Sequence, residues 1–444
     1  MIAPGQMLPA LHGTISRRSA LAALLILLAG VASLYWHGRL PLLPDYRGKP
    51  LMTVGVWDSQ SYLHMAQNLY GDVVSPFSKR WLYPLLARAL ENTAHLGWEN
   101  SFLALNLFAF ALLAWCIAAS LEIILGKPWL ALVLLFTPFP LESLQLAYLP
   151  DLFHMALTAL LFLLLLKDRL IWALVVLFVS FAVRESTLLF CLVCAAAGWR
   201  YRRRSLLFGS LLVLVMSTLL TSRFARLGLP NIHKMPDFLY LALKVPYNFL
   251  LNFLGVCLWS EVTPIGHPIA TWRMPAFLHV TDKQIGIGFD WHFPATTLVV
   301  LLTTFGNAPV FLAGFVRRWR AALEAPLAIQ LAFFYGTLCY LVGPSLGGWT
   351  DRLVGYGWPV FWLALPYLIQ NSGLKPSRRH LLQLVAGYLL ICWWPRLIGF
   401  WRGEHFLICL LGLLVPYLLT AAWLRKRERA TAAVEVETQP ELRS

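Results

Sequence analysis

Residues 151–204 read DLFHMALTALLFLLLLKDRLIWALVVLFVSFAVRESTLLFCLVCAAAGWRYRRR. Apolar runs near 150–166, 170–183 and 187–198 are separated by Lys167-Asp168-Arg169 and by Arg184-Glu185, and Arg200, Arg202, Arg203 and Arg204 close the last. Leu170 to Gly198 is long enough to be one membrane span. The cations decide against it. Basic loops stay on the cytoplasmic side, and both the Lys167–Arg169 and the Arg200–Arg204 ends belong there. One span would put them on opposite sides. Two short helices with Arg184-Glu185 at their tip put them on the same side.

The rest of the chain agrees with a membrane reading. Of 444 residues, 59% are apolar and only 13% charged, against about 25% charged in a soluble domain. Mean hydropathy is +0.66. These values exclude a disordered chain and leave too little charge for a water-exposed globule. Further apolar runs near 20–36, 101–121, 128–140, 206–221, 293–316, 326–343, 353–370, 380–395 and 405–424 bring the expected count to about twelve crossings. Arg17 and Arg18 precede the first run and no small-x-small cleavage pattern follows it, so it reads as an uncleaved span. The expected fold is all-α: a polytopic bundle forming one integral membrane domain over 1–424, with 425–444 a disordered cytoplasmic tail.

The net charge is +15. In a soluble protein this would raise nucleic acid as a partner. Here the positives gather at span ends, at Lys127, Arg317-Arg318-x-Arg320, Lys375 with Arg378-Arg379, and Arg425-Lys426-Arg427-x-Arg429. The hairpin reading puts all of them on one side, with both termini cytoplasmic and no nucleic acid expected. The seven cysteines form no disulfide framework. All but Cys257, which lies in a loop, sit in apolar runs, and Cys191-x-x-Cys194 has no acid or histidine beside it for a metal.

Two long segments, about 37–100 and 222–292, fall on the outer side. Ser61–Tyr70, Trp81–Leu90 and Asp237–Trp259 mix aromatic, aliphatic and polar residues at helical spacing, as short interfacial helices do. The outer side also collects ionisable residues, which are expensive near a bilayer and usually functional. Asp58 lies in Trp57-Asp58-Ser59-Gln60-Ser61-Tyr62, and Arg80-Trp81-Leu82-Tyr83-Pro84 follows. Glu142 and Asp151 bracket the next outer loop. His279, Asp282, Asp290 and His292 end the second long segment, and Asp351-Arg352 opens a late span. Each admits a structural reading too: Asp151 as a helix cap, Arg184 and Glu185 as a pair with each other, Arg352 as a snorkelling cation, the histidines as loop surface. No tight His/Asp spacing supports a metal site at His279, Asp290 and His292.

Taken together, the Trp-Asp-x-Gln-x-Tyr and Arg-x-Leu-Tyr-Pro segments, Arg184-Glu185-Ser186-Thr187 at the hairpin tip and Asp351-Arg352 with Tyr356 and Pro359 resemble the GT-C superfamily of membrane glycosyltransferases. The resemblance is best from the first outer segment to about residue 200. It implies a GT-C-like bundle and inverting transfer of a sugar from a polyprenyl-phosphate donor to a saccharide, lipid or protein acceptor at the periplasmic face of a bacterial inner membrane. An acid must take the acceptor proton. Asp58 is the first choice, with Asp151 and Glu142 the other candidate catalytic carboxylates. Cations must hold the phosphate, and arginine is well shaped for phosphate contact. Arg352 comes first, then Arg184 and Arg80. Gln60, Tyr62, Tyr83, Glu185 and Tyr356 complete the candidate substrate-binding set. Some members use an Asp-x-Asp pair with a divalent metal. Here residues 58–60 are Asp-Ser-Gln, so the second acid is missing; the sequence leaves a divalent metal open but offers no Asp-x-Asp pair to support one, and it points to no other cofactor.

Two other classes fit parts of the sequence: a transporter or flippase of lipid-linked saccharide, and an O-antigen-type polymerase or ligase. Transporters tend to carry internal repeats and charged residues in mid-span. This chain has no visible repeat, and its polar residues stand at the outer rim.

Overall fold

The structure is a computed structural model. It describes residues 15–36, 57–69, 73, 77–225, 237–260, 270–273, 285–311, 324–347, 350–371, 377–400 and 405–438. His279, Asp282, Arg317, Arg318, Arg320 and Lys375 lie outside the described residues.

In chain order, the first helices are α1 (Arg17–Trp36), α2 (Trp57–Asn68), α3 (Leu82–Ala94), α4 (Trp98–Leu125), α5 (Leu130–Leu135), α6 (Pro138–Gln145), α7 (Asp151–Leu166), α8 (Leu170–Val183), α9 (Thr187–Arg200) and α10 (Arg204–Ala225). A single 3-10 turn, Phe77–Lys79, precedes α3. Next come α11 (Asp237–Leu254), the strands β1 (Val256–Ser260), β2 (Ala270–Arg273) and β3 (Ile285–Phe289), and α12 (His292–Thr303). The chain continues with α13 (Leu327–Leu346), α14 (Thr350–Gly355), α15 (Trp358–Asn371), α16 (Arg378–Leu397) and α17 (Phe406–Thr438). The described residues are therefore helical apart from one small antiparallel sheet of order β1-β3-β2. Among them, five helices are long and apolar enough to cross a membrane: Arg17–Trp36, Trp98–Leu125, Arg204–Ala225, Leu327–Leu346 and Phe406–Arg427. Asp151–Leu166, Leu170–Val183, Thr187–Arg200 and His292–Thr303 are apolar but shorter.

Two compact units emerge. The first comprises Met1–Met235, Trp319–Thr337 and Tyr356–Leu368; the second comprises Pro236–Arg318, Leu338–Gly355 and Ile369–Ser444. In the first unit α7 is central, buried along nearly its whole length, and packs on α4 and α8. Helix α1 packs on α4, and α9 on α10. Helix α4 turns Ala109, Ala114, Ala118, Ala119 and Ser120 inward. Such small side chains let helix axes approach closely, the main attraction between helices when lipid is as apolar as leucine. In the second unit Val299, Ile391, Cys409 and Leu413 join α12, α16 and α17. Tyr417 pins that packing, its hydroxyl donating to the Gly306 carbonyl at 2.9 Å.

Three expectations change. The run near 128–140 is not one helix but α5 and α6, broken at Phe136-Thr137. Pro138 starts α6, where its missing N–H costs nothing. Cys257 lies in β1 rather than in a loop, and the sheet was not read from sequence, although Ile285-Gly-Ile-Gly-Phe289 alternates with the period of a strand. The polar tail is helical as far as Thr438, in keeping with the high helix propensity of its alanine, glutamate and arginine residues.

The α9–α10 turn supplies a stability test. A Cβ on Gly198 would lie 2.5 Å from the Leu207 backbone nitrogen, which cannot move aside as a side chain does. A Cβ on Gly387 of α16 meets nothing closer than 3.9 Å. Gly198→Ala should lower thermal stability in detergent by about 1–3 kcal/mol, the usual range for overpacking. Gly387→Ala should be neutral or gain up to about 1 kcal/mol from helix propensity. Equal melting temperatures for the two variants would overturn this account of the turn.

Candidate functional site

The tip between α8 and α9 organises the polar residues of the first unit. Arg184 and Glu185 are neighbours in sequence, yet each pairs elsewhere. The Arg184 guanidinium donates Nη1 to Asp151 Oδ1 at 2.5 Å, with both side chains buried. The Tyr356 hydroxyl donates to the same oxygen, and the Tyr356 ring lies under the guanidinium with its centroid 4.6 Å from Cζ. Asp151 is the first residue of α7, so this cluster fastens α7 to the hairpin tip.

Glu185 turns toward Arg80, just before α3. Arg80 grips it as a fork, Nε to Oε2 at 2.7 Å and Nη2 to Oε1 at 2.5 Å. Arg80 Nη1 also donates to the Tyr62 hydroxyl at 2.7 Å. A planar guanidinium suits such bidentate contact as lysine cannot. Burial alone would raise the Glu185 carboxyl. The Arg80 charge and its hydrogen bonds, together with the Arg184 charge, outweigh that and hold it down to about 2. Burial pushes the Tyr62 phenol up from its usual value, against the pull of Arg80 and Arg184.

Of the sequence candidates, Tyr62, Arg80, Asp151, Arg184, Glu185 and Tyr356 thus form one connected network. Tyr83 stands beside it: its ring packs on Phe153 and Phe102, each 5.7 Å away, and its hydroxyl donates to the Ala147 carbonyl at 2.6 Å. Asp58 is partly buried in the first turn of α2, on the same helix face as Tyr62 one turn on. Gln60 is exposed, and Glu142 is partly buried on α6. Arg352 belongs to the second unit, buried within α14. The end of α13 is held by Asn252, whose Nδ2 donates to the carbonyls of Pro344 and Gly347 at 2.6 and 3.0 Å.

His154 was missed. It is buried, edge-on to Tyr356 at 5.1 Å, and its ring nitrogens reach Ser180 and Ser186 at 3.1 Å each. The available signal was an Asp-x-x-His pair, three residues apart at the start of an otherwise apolar helix, which puts both side chains on one face. In the second unit, Asp290 Oδ1 receives the His292 backbone N–H at 3.0 Å and lies 2.7 Å from His292 Nδ1. Among the described residues, no group of three or more His, Cys, Asp or Glu is placed to hold a metal ion.

No protein-family model matches the chain. No curated protein matches it at significant similarity.

Breaking one side of the Asp151–Arg184 pair leaves a buried charge uncompensated, at about 3–5 kcal/mol. Asp151→Asn should therefore melt well below wild type in detergent. Asp151→Asn with Arg184→Gln removes both charges and should recover much of the loss. A double variant as unstable as the sum of its two single variants would rule out the pairing.

Proposed function

We propose that the chain is a GT-C-type glycosyltransferase that moves a sugar from a polyprenyl-phosphate donor to an acceptor, inverting the anomeric centre. We place it in a bacterial inner membrane with about twelve crossings, both termini cytoplasmic and the chemistry on the periplasmic face. One observation carries most of the weight: two acids and two arginines, Asp151, Glu185, Arg80 and Arg184, meet at the α8–α9 tip and the start of α7, with Tyr62 of α2 joined to them through Arg80. A transporter would need its polar residues along a path through the membrane. A transferase needs them at a rim, where a lipid-borne donor meets a water-borne acceptor.

In this reading the acceptor oxygen attacks the anomeric carbon as the bond from that carbon to the phosphate oxygen breaks. The proton passes to the Asp58 carboxylate, and polyprenyl phosphate leaves with the electron pair. Asp58 fits the part because it stands on the outer helix, one turn from the Tyr62–Arg80 contact. Asp151 and Glu185 are engaged with arginines at 2.5 Å and serve as framework, as do Arg80 and Arg184. Arg352 is the cation we assign to the donor phosphate, whose charge grows as the bond breaks.

Loss of a general base costs about 10²–10⁴-fold. Asp58→Asn should fall by that much in a lipid-linked sugar transfer assay while keeping the wild-type melting temperature. Activity within a few-fold of wild type would remove Asp58 from the mechanism.

Arg352 is tested separately. If it clamps phosphate as a planar fork, Arg352→Lys should impair donor use clearly and Arg352→Ala more severely. A cation that merely snorkels to headgroups is replaced by lysine without loss. Unchanged donor dependence in Arg352→Lys would move the phosphate site elsewhere.

A further inference from the structure

The opposite end of the same hairpin carries a second charged cluster. Two turns meet there, Lys167–Arg169 between α7 and α8 and Tyr201–Arg203 between α9 and α10. Their proximity is fixed by Arg203 Nη1, 3.9 Å from Asp168 Oδ1, and by α10 packing on both α8 and α9. Together with Arg200 and Arg204 the two turns carry six cations against one acid, Asp168. That single ion pair is largely exposed, with side chains 35% and 73% accessible, and such pairs hold little energy.

The two turns share one backbone design. Arg169 N–H donates to the Leu164 carbonyl and Asp168 N–H to that of Leu165; Arg203 N–H donates to Gly198 and Arg202 N–H to Trp199. Each is a helix end closed by a residue in the left-handed region, Asp168 at φ 52° and Arg202 at φ 53°. Glycine is the usual occupant because it carries no strain there; an arginine does. Strain retained at a surface turn is a reason to look for a function.

Ordinary explanations cover only part of the cluster. Lys167 and Arg200 stand at helix C-termini, where the dipole welcomes a cation. Arg169 and Arg204 stand at the starts of α8 and α10, whose first turns contain no acid, and there the dipole disfavours them. A topology signal requires positive charge on one side of the membrane. It is indifferent to whether the two basic turns lie side by side, as these do. The borders are apolar and aromatic: Trp172 is 63% and Trp199 77% exposed, as suits side chains at the interface of a bilayer.

We propose that these two turns seat the headgroup of an anionic phospholipid, its phosphate among Arg169, Arg202 and Arg204 and its glycerol and acyl chains against Trp172 and Trp199. The lipid supplies the negative charge that the cluster lacks. Basic pockets at helix ends are a general means of binding such headgroups.

The test uses the purified full chain, stripped of lipid in a neutral detergent, with phosphatidylglycerol, phosphatidylcholine or inorganic phosphate added and binding read by native mass spectrometry and by melting temperature. Phosphatidylglycerol should bind at least tenfold tighter than phosphatidylcholine, and inorganic phosphate should give no comparable stabilisation. Arg202→Gly with Arg204→Gln removes two charges and should weaken phosphatidylglycerol binding roughly tenfold or more. Arg202→Gly alone relieves the left-handed strain, so its lipid-free melting temperature should hold or rise while binding weakens. Misfolding therefore cannot stand in for lost binding. Arg425→Gln with Lys426→Gln removes the same charge from another basic cluster and should leave binding unchanged. Equal binding of the two lipids, wild-type binding by the Arg202 variants, or an equal loss in the Arg425/Lys426 control would overturn the seat. An equal response to inorganic phosphate would assign the cluster to the free anion instead.

Discussion

A carboxylate and a guanidinium held 2.5 Å apart and shut off from solvent govern the architecture of the first unit. Either charge alone, taken out of water, would cost several kcal/mol even after its surroundings relax. Neither can remain at the end of an apolar bundle without the other. The pairing therefore dictates position: α7 must present its first residue to the tip of the α8–α9 hairpin, and Tyr356 must close over the pair. Apolar packing alone would let these helices slide along one another at little cost. The ion pair sets their register, the use for which buried charges are best attested.

A second pair extends the same logic outward. Arg184 is engaged by Asp151, so Glu185 takes a cation of its own, and Arg80 supplies one as a fork with Tyr62 at its third corner. That contact ties α2 and α3 to the helices α7–α9. Two carboxylates and two guanidinium groups leave the network without net charge. Asp58 is attached to this assembly through one turn of α2, so its position is inherited from groups that are themselves fixed. In the glycosyltransferase we propose, Asp58 as general base would have to be held within hydrogen-bond reach of the proton it removes, and a rigid neutral frame would serve that need better than a loop.

Much of this was legible in the residues. The hairpin followed from Lys167–Arg169 and Arg200–Arg204, because one side of the membrane must accept both. The prominence of Tyr62, Arg80, Asp151, Arg184, Glu185 and Tyr356 followed from the cost of polar groups near lipid. Their partners did not follow. Pairing of Arg184 with Glu185 was one structural alternative to substrate binding, yet adjacent residues leave the backbone in different directions, and partners 33 and 105 positions away took them. His154 escaped notice because one histidine among leucines carries no periodic signal, and only the fold brings Ser180 and Ser186 to its ring. The break between α5 and α6 was written in Pro138, but the apolar count over 128–140 outweighed it.

Helix length connects the two polar ends of the hairpin. At about 1.5 Å per residue, the 14 residues of α8 reach about 21 Å, and the 14 of α9 the same. The apolar core of a bilayer is about 30 Å thick. In the topology we propose, which holds the basic turns at one headgroup layer, the Arg184–Glu185 tip would stop short of the other. Water alone then does not satisfy the tip. It needs neutralised charges, filled hydrogen bonds and a cover, and the two ion pairs, the His154 contacts and the helices α2 and α3 supply these in turn. The shortness of the helices and the density of the polar network are thus one constraint seen from two sides. A hairpin long enough to reach the far headgroups would have no need of Asp151, Arg80 or Tyr62 in their present places.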